Sequence, residues 1–238
     1  MFVGFEKKQK QPLLEFNIFR NVQFSLNLIC ALISFICIAA SIILVPFYLQ
    51  DSLKLTPAQS GLFMMLSPLI LAALSPICGA ISDKIGSEII TMSGMLLMGL
   101  GFFLMSRLNE HSSVVICAVF ISVIAVGQSL FQPANNSLIM SACPRDKLGI
   151  VGSINSLVRN LGQITGITLS TTLLYRFMSW KLKYHISDYV KGRDDVFVYG
   201  MKNVYLILVA ICCLGAVFTA LRFFKTKSRT IIIDGRGN

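Results

Sequence analysis

Six polar side chains stand in two apolar stretches where a soluble helix would not place them. Gln128, Gln132, Asn135 and Asn136 precede a short polar hinge at 142–147, and Asn155 and Arg159 follow it. None is a nucleophile or a general acid. Amides and a guanidinium exchange hydrogen bonds or hold a negative charge, so the chemistry on offer is recognition, not bond breaking. A guanidinium at membrane depth costs at least about 2.5–3.5 kcal/mol on insertion scales, so something must compensate it. Arg159 reads either as a cavity-facing cation that contacts substrate or organises water, or as a tie to a carbonyl on a neighbouring helix. The amides carry the same two readings, and an interhelical hydrogen bond is worth about 0.6 kcal/mol.

The composition says what surrounds these groups. Hydrophobic residues make up 55% of the 238 and charged residues 13%, the wrong balance for a soluble domain of this length. The apolar residues come in long runs, and spanning a hydrocarbon core takes about 20 of them in helix. The chain is therefore expected to be an all-α, polytopic helical membrane protein set in a lipid bilayer. The net charge of +10 does not point to nucleic acid, because the basic residues sit in loops and tails between the runs. All seven cysteines (Cys30, Cys37, Cys78, Cys117, Cys143, Cys212 and Cys213) lie in or beside apolar runs, with neither metal-ligand spacing nor a disulfide framework. His111 and His185 have no partner pattern, and no Ser-His-Asp set, P-loop or dinucleotide fingerprint occurs. No enzyme, metal or cofactor is expected.

Along the chain, residues 1–22 are a polar, basic lead-in with the composition of an interfacial helix and not of a signal peptide. A bundle over 23–224 follows, with six spans expected at about 24–48, 58–81, 89–105, 114–139, 150–175 and 204–224, then a basic tail at 225–238 expected to be irregular. Tyr48 suits the headgroup level. Thr56 with Pro57 reads as a helix cap followed by proline at the first helical position. Pro68 and Pro76 bend the second span. Residues 79–86 read as a turn, with Gly79 and Gly86 allowing the reversal and Asp83 and Lys84 capping helix ends. Gly94, Gly99 and Gly101, and the pair Gly162 and Gly166, allow close helix approach. Residues 176–203 read as a longer polar segment, whose Trp180, Tyr184, Tyr189 and Tyr199 suggest contact with the interface.

The charges orient the bundle. An even number of spans puts both termini on one side, with Lys7, Lys8, Lys10, Arg20, Lys84, Arg145, Lys147, Arg222, Lys225, Lys227, Arg229 and Arg236. The short loops opposite carry only Lys54 and Arg107, so both termini are expected in the cytoplasm.

Several blocks together resemble a known family. Phe19-Arg20-Asn21 with Phe24, Pro46 to Gln50, Ser60-Gly61-Leu62 and Pro68 occur in order. So do Gly79-Ala80-Ile81-Ser82-Asp83-Lys84-Ile85-Gly86, a G-x-x-x-D-K-x-G loop, and Pro133 to Ser137, Pro144, Gly149, Gly152, Arg159, Asn160-Leu161-Gly162 and Gly166. Nearly the whole chain is similar to the C-terminal six-helix half of a major facilitator superfamily transporter, of the fourteen-span drug:proton antiporter (QacA/EmrB) type.

That resemblance implies a bacterial inner membrane protein in which Gly79, Asp83, Lys84 and Gly86 belong to a gating loop. It also implies a small-molecule substrate at the midplane between two halves and transport driven by a proton gradient. The sequence departs from the family in two respects: the N-terminal half is missing, and no Asp or Glu sits in the middle of any expected span. The expected partner is therefore that missing half, a second copy in a homodimer, or a separate transporter chain. The leading expectation is efflux of hydrophobic or cationic compounds by alternating access. The alternative is a non-transporting fragment or structural partner of a full-length transporter.

Overall fold

The computed structural model describes residues 21–184, 186 and 193–234, with side chains to residue 220. Residues 1–20 of the lead-in expected at 1–22, together with His185 and Tyr189, lie outside the described residues, while Asn21 caps and Val22 begins the first helix. Seven α-helices follow in order: α1 Val22–Phe47, α2 Pro57–Met64, α3 Leu66–Ile85, α4 Ser87–Met105, α5 Val114–Ser141, α6 Leu148–Leu182 and α7 Asp194–Asp234. A π-turn, Tyr48–Ser52, prolongs α1, and a 3-10 turn, Arg145–Lys147, lies between α5 and α6. The fold is all-α and polytopic.

Local chemistry sets the helix ends. Asn21 caps α1 by accepting from the Gln23 amide at 3.1 Å, while its Nδ2 donates to the Ala142 carbonyl at 3.0 Å. That pair of bonds fastens the start of α1 to the end of α5. Thr56 caps α2 with Pro57 just inside, as the sequence predicts, and Gln59 completes a reciprocal capping box. Pro68 has no N–H to give the Met64 carbonyl, and the helix breaks at Met65, separating α2 from α3.

Two helix pairs approach closely through glycine. A Cβ on Gly162 would sit 2.7 Å from Phe35 Cβ, and one on Gly166 would meet the Ile36 carbonyl, so α6 lies tight on α1. On the other side of the bundle, a Cβ on Gly94 would meet the Gly127 carbonyl at 2.8 Å, joining α4 to α5. Between helices in lipid, such backbone contact replaces a hydrophobic driving force. α1 packs on α6 and α7, α4 on α5 and α7, and α3 chiefly on α5, outside the core. The core holds Leu44, Tyr48, Met98, Phe102, Met105 and Tyr205, with the Phe102 and Tyr205 rings stacked at 6.1 Å.

Asn27, Ser34, Ser41 and Tyr48 recur every seven residues along α1 and its π-turn, and all four are buried. Three of them tie α1 to other elements. The Asn27 carbonyl accepts from Asn135 Nδ2 at 3.2 Å, Ser41 Oγ meets Tyr205 Oη at 3.1 Å, and Tyr48 Oη donates to the Asn109 carbonyl at 2.7 Å. Tyr48 is therefore an internal strut and not a headgroup anchor, because the loop after α4 offers its hydroxyl an acceptor.

Among the described residues, five helical stretches are long and apolar enough to cross a membrane: Val22–Ser52, Pro57–Ile85, Ser87–Met105, Val114–Ser141 and Asp194–Ala220. The fifth expected span, 150–175, forms as α6, which has 35 residues. Asn155, Arg159, Asn160 and Gln163 make it too polar to join them by composition. Three other expectations change. Residues 79–85 are helical, so the expected turn reduces to Gly86 alone, at φ +108°, a conformation that costs glycine little. Residues 176–182 and 194–203 of the expected polar segment are helical, because Leu174 and Met178 continue the buried face of α6 to Leu182 and Val196 and Phe197 begin that of α7. The backbone of the tail also remains helical to Asp234.

The end opposite the hinge is stitched by ion pairs: Lys54–Asp194, Lys181–Asp195 and Arg193–Asp195, each at 3.0 Å. Exposed pairs of this kind are worth about 0–1 kcal/mol. They set the loop arrangement more than the stability.

Candidate substrate groove

A groove of about 330 Å3 opens between α1, the α2–α3 joint and α5. α1 presents Ile38, Ser41, Ile42 and Val45, spaced three, four and seven apart and hence on one face. The joint adds Met64, Ser67, Pro68 and Leu71, and α5 adds Ile121, Ile124 and Gln128. The break before Pro68 shapes this wall, and the Met64 carbonyl has lost the donor that a residue other than proline would supply.

The lining is apolar apart from the Ser41 and Ser67 hydroxyls and the Gln128 amide, and no lining residue is charged. Ser41 is held by the fully buried Tyr205, which fixes its hydroxyl on the groove wall. A cavity of this size and polarity binds a small apolar molecule and orients it with a few hydrogen bonds.

Of the six polar residues read from the sequence, only Gln128 lines the groove. Gln132 lies one turn further along α5, half-buried and outside the lining. Asn135 is buried and donates to the Asn27 carbonyl. Asn155 Nδ2 donates to Asn136 Oδ1 at 3.1 Å, joining the start of α6 to the end of α5. The Oδ1 atoms of Asn135 and Asn155 are buried without a partner among the described residues. Arg159 is exposed on α6, outside the groove, with no hydrogen bond or ion pair among the described residues.

Asp83 and Lys84 are exposed on the last turn of α3. Gly79 has open space where a Cβ would be, so packing does not require a glycine there. The α3–α4 joint is held instead by Ser82, buried, whose hydroxyl donates to Ser87 Oγ at 2.9 Å across Gly86.

Sequence reasoning missed Ser41, Ser67 and Tyr205. The seven-residue spacing of buried polar groups on α1 was a usable signal for Ser41. Nothing local marks Tyr205.

The bundle of apolar helices, the proline-broken α2–α3 and the groove at its joint agree with one further observation. The sequence profile of the Major Facilitator Superfamily matches residues 3–181. The chain belongs to that superfamily. As a major facilitator chain it is an integral membrane protein of a transporter family. Curated relatives are similar over most of it. The riboflavin transporter RibZ of Clostridioides difficile is 26% identical over 223 residues, 94% of this chain and 47% of that protein. The lincomycin resistance protein LmrB of Listeria innocua is 25% identical over 226 residues, 92% of this chain and 47% of its own length. The multidrug transporter protein MdtP of Bacillus subtilis is 31% identical over 169 residues, 71% of this chain and 31% of its own length. This major facilitator chain thus spans about half the length, or less, of these relatives.

Proposed function

We propose that this chain is the C-terminal half of a proton-coupled exporter of drugs or other hydrophobic compounds, working by alternating access. The groove between α1, the α2–α3 joint and α5 carries the proposal: it has drug-scale volume, an apolar wall and three uncharged polar groups. The drug and lincomycin resistance relatives support the substrate class. In this reading the groove is half of a midplane cavity, completed by a second half, a second copy or a separate transporter chain. The described groove lining holds no titratable group; in this reading the complement supplies the proton-carrying residue. In this reading the chain sits in the bacterial inner membrane with its hinge end and both termini in the cytoplasm, an orientation that the basic Lys84, Arg145 and Lys147 support.

The uncharged lining favours a neutral hydrophobic substrate over a cationic one, since a buried cation needs a compensating charge. The test is efflux of ethidium and of a neutral hydrophobic dye from energised cells. The cells express the chain alone or with the N-terminal half of LmrB. Uncoupler-sensitive export of either dye supports the reading. No export in either combination, with both polypeptides in the membrane, overturns it in favour of a non-transporting partner of a full-length transporter.

A further inference from the structure

The end of the bundle opposite the hinge carries a second concavity, of about 710 Å3, on the last turns of α6. Leu173, Phe177 and Ser179 are its half-buried residues, and Arg176, Trp180, Lys183 and Tyr184 its exposed ones. Spacing puts Leu173, Arg176, Phe177 and Trp180 on one face of α6, while Lys183 is the left-handed residue that ends the helix and Tyr184 follows it.

Depth argues for a membrane ligand here. At 35 residues, α6 is about 52 Å long, against about 30 Å of hydrocarbon core. With the middle of α6 near the bilayer centre, hydrocarbon ends about ten residues further on, close to Tyr175. The four exposed residues then stand at headgroup height, the level that suits tryptophan and tyrosine. Trp180 is 75% exposed and Tyr184 56%, a large aromatic surface to leave in water.

Charge specifies the headgroup. Arg176 and Lys183 have no carboxylate partner among the described residues. The two described carboxylates that open α7 are engaged elsewhere: Asp194 by Lys54, and Asp195 by Lys181 and Arg193. A guanidinium fork fits two oxygens of one phosphate, and a nearby ammonium adds a point charge. We propose that this concavity binds the phosphate headgroup of an anionic phospholipid. Arg176 and Lys183 hold the phosphate, Trp180 and Tyr184 flank the glycerol, and Leu173 and Phe177 carry the upper acyl chains.

The test uses the full chain in nanodiscs of equal phosphatidylglycerol and phosphatidylcholine, with retained lipids counted by native mass spectrometry. Wild type should retain phosphatidylglycerol several-fold over phosphatidylcholine. R176Q/K183Q should bring the ratio near one, while R176K/K183R keeps most of it. Equal retention in wild type overturns the proposal. So does a preference unchanged in R176Q/K183Q, which would assign it to Lys84, Arg145 and Lys147 at the other end. If R176Q/K183Q fails to insert, K183Q alone decides by the same criterion, since Lys183 is exposed and ends α6 at φ 61°. Inorganic phosphate that binds wild type in lipid-free micelles and displaces phosphatidylglycerol would identify a soluble anion site and also overturn it.

Discussion

Asn155 on α6 donates to Asn136 on α5 at 3.1 Å, so the two helices flanking the hinge are joined side chain to side chain one to two turns inside it. Either residue alone reads as a cavity group; together they are a clasp. N136L should leave the Asn155 donor buried and unmatched, at about 1–2 kcal/mol. A double-mutant cycle of N136L with N155L, read by thermal unfolding in detergent, should return a coupling of about 0.6–1.7 kcal/mol. Zero coupling would mean that the amides are solvated instead.

Gly166 and Gly79 should respond in opposite ways. A Cβ on Gly166 meets the backbone of α1 at Ile36, and a backbone cannot swing aside. G166A should lose about 1–3 kcal/mol by overpacking. G79A enters open space within a helix and should gain up to about 1 kcal/mol from helix propensity. Melting temperatures in one detergent check both. An export defect in a stable G79A protein would point to a conformation of the 79–86 motif other than this one.

Q128L and R159Q separate the groove from the exposed face of α6. Gln128 supplies the only amide of the groove, so Q128L should reduce dye export several-fold in the assembled transporter while membrane levels stay unchanged. R159Q should leave thermal stability within about 0.5 kcal/mol, as expected for an exposed residue away from a structural feature. A large stability loss in R159Q would reveal a partner that the bundle alone does not show.

Cys143, half-buried at the end of α5, offers a pH-dependent readout. Burial raises its thiol above the ordinary cysteine range, and nearby Lys147 opposes part of that rise. The reactive thiolate forms only as pH climbs through the raised value. Maleimide labelling of a variant with Cys143 as its sole cysteine should therefore be slow at pH 7 and rise about tenfold per pH unit until that value is passed. Labelling in inside-out vesicles but not in intact cells would confirm the cytoplasmic hinge. The reverse pattern would invert the proposed topology.

The sequence by itself determined the class of this protein and most of its helices, because apolar run length answers directly to the thickness of a bilayer. It also determined the Thr56 cap and that a helix approaches closely at Gly162 and Gly166, though not which helix. These depend on residues a few positions apart, and local spacing records such features. Only the tertiary structure decided what the polar groups do. Gln128, Asn135 and Asn136 lie within eight residues of one another, yet successive helical residues point about 100° apart. They reach a groove, the backbone of α1 and the clasp to α6. Tyr48 and Ser41 likewise depend on acceptors and donors contributed from Asn109 and Tyr205, far along the chain. Whether a buried polar group binds substrate or a neighbouring helix depends on which helix packs beside it. Packing between distant segments settles that, and no local pattern encodes it.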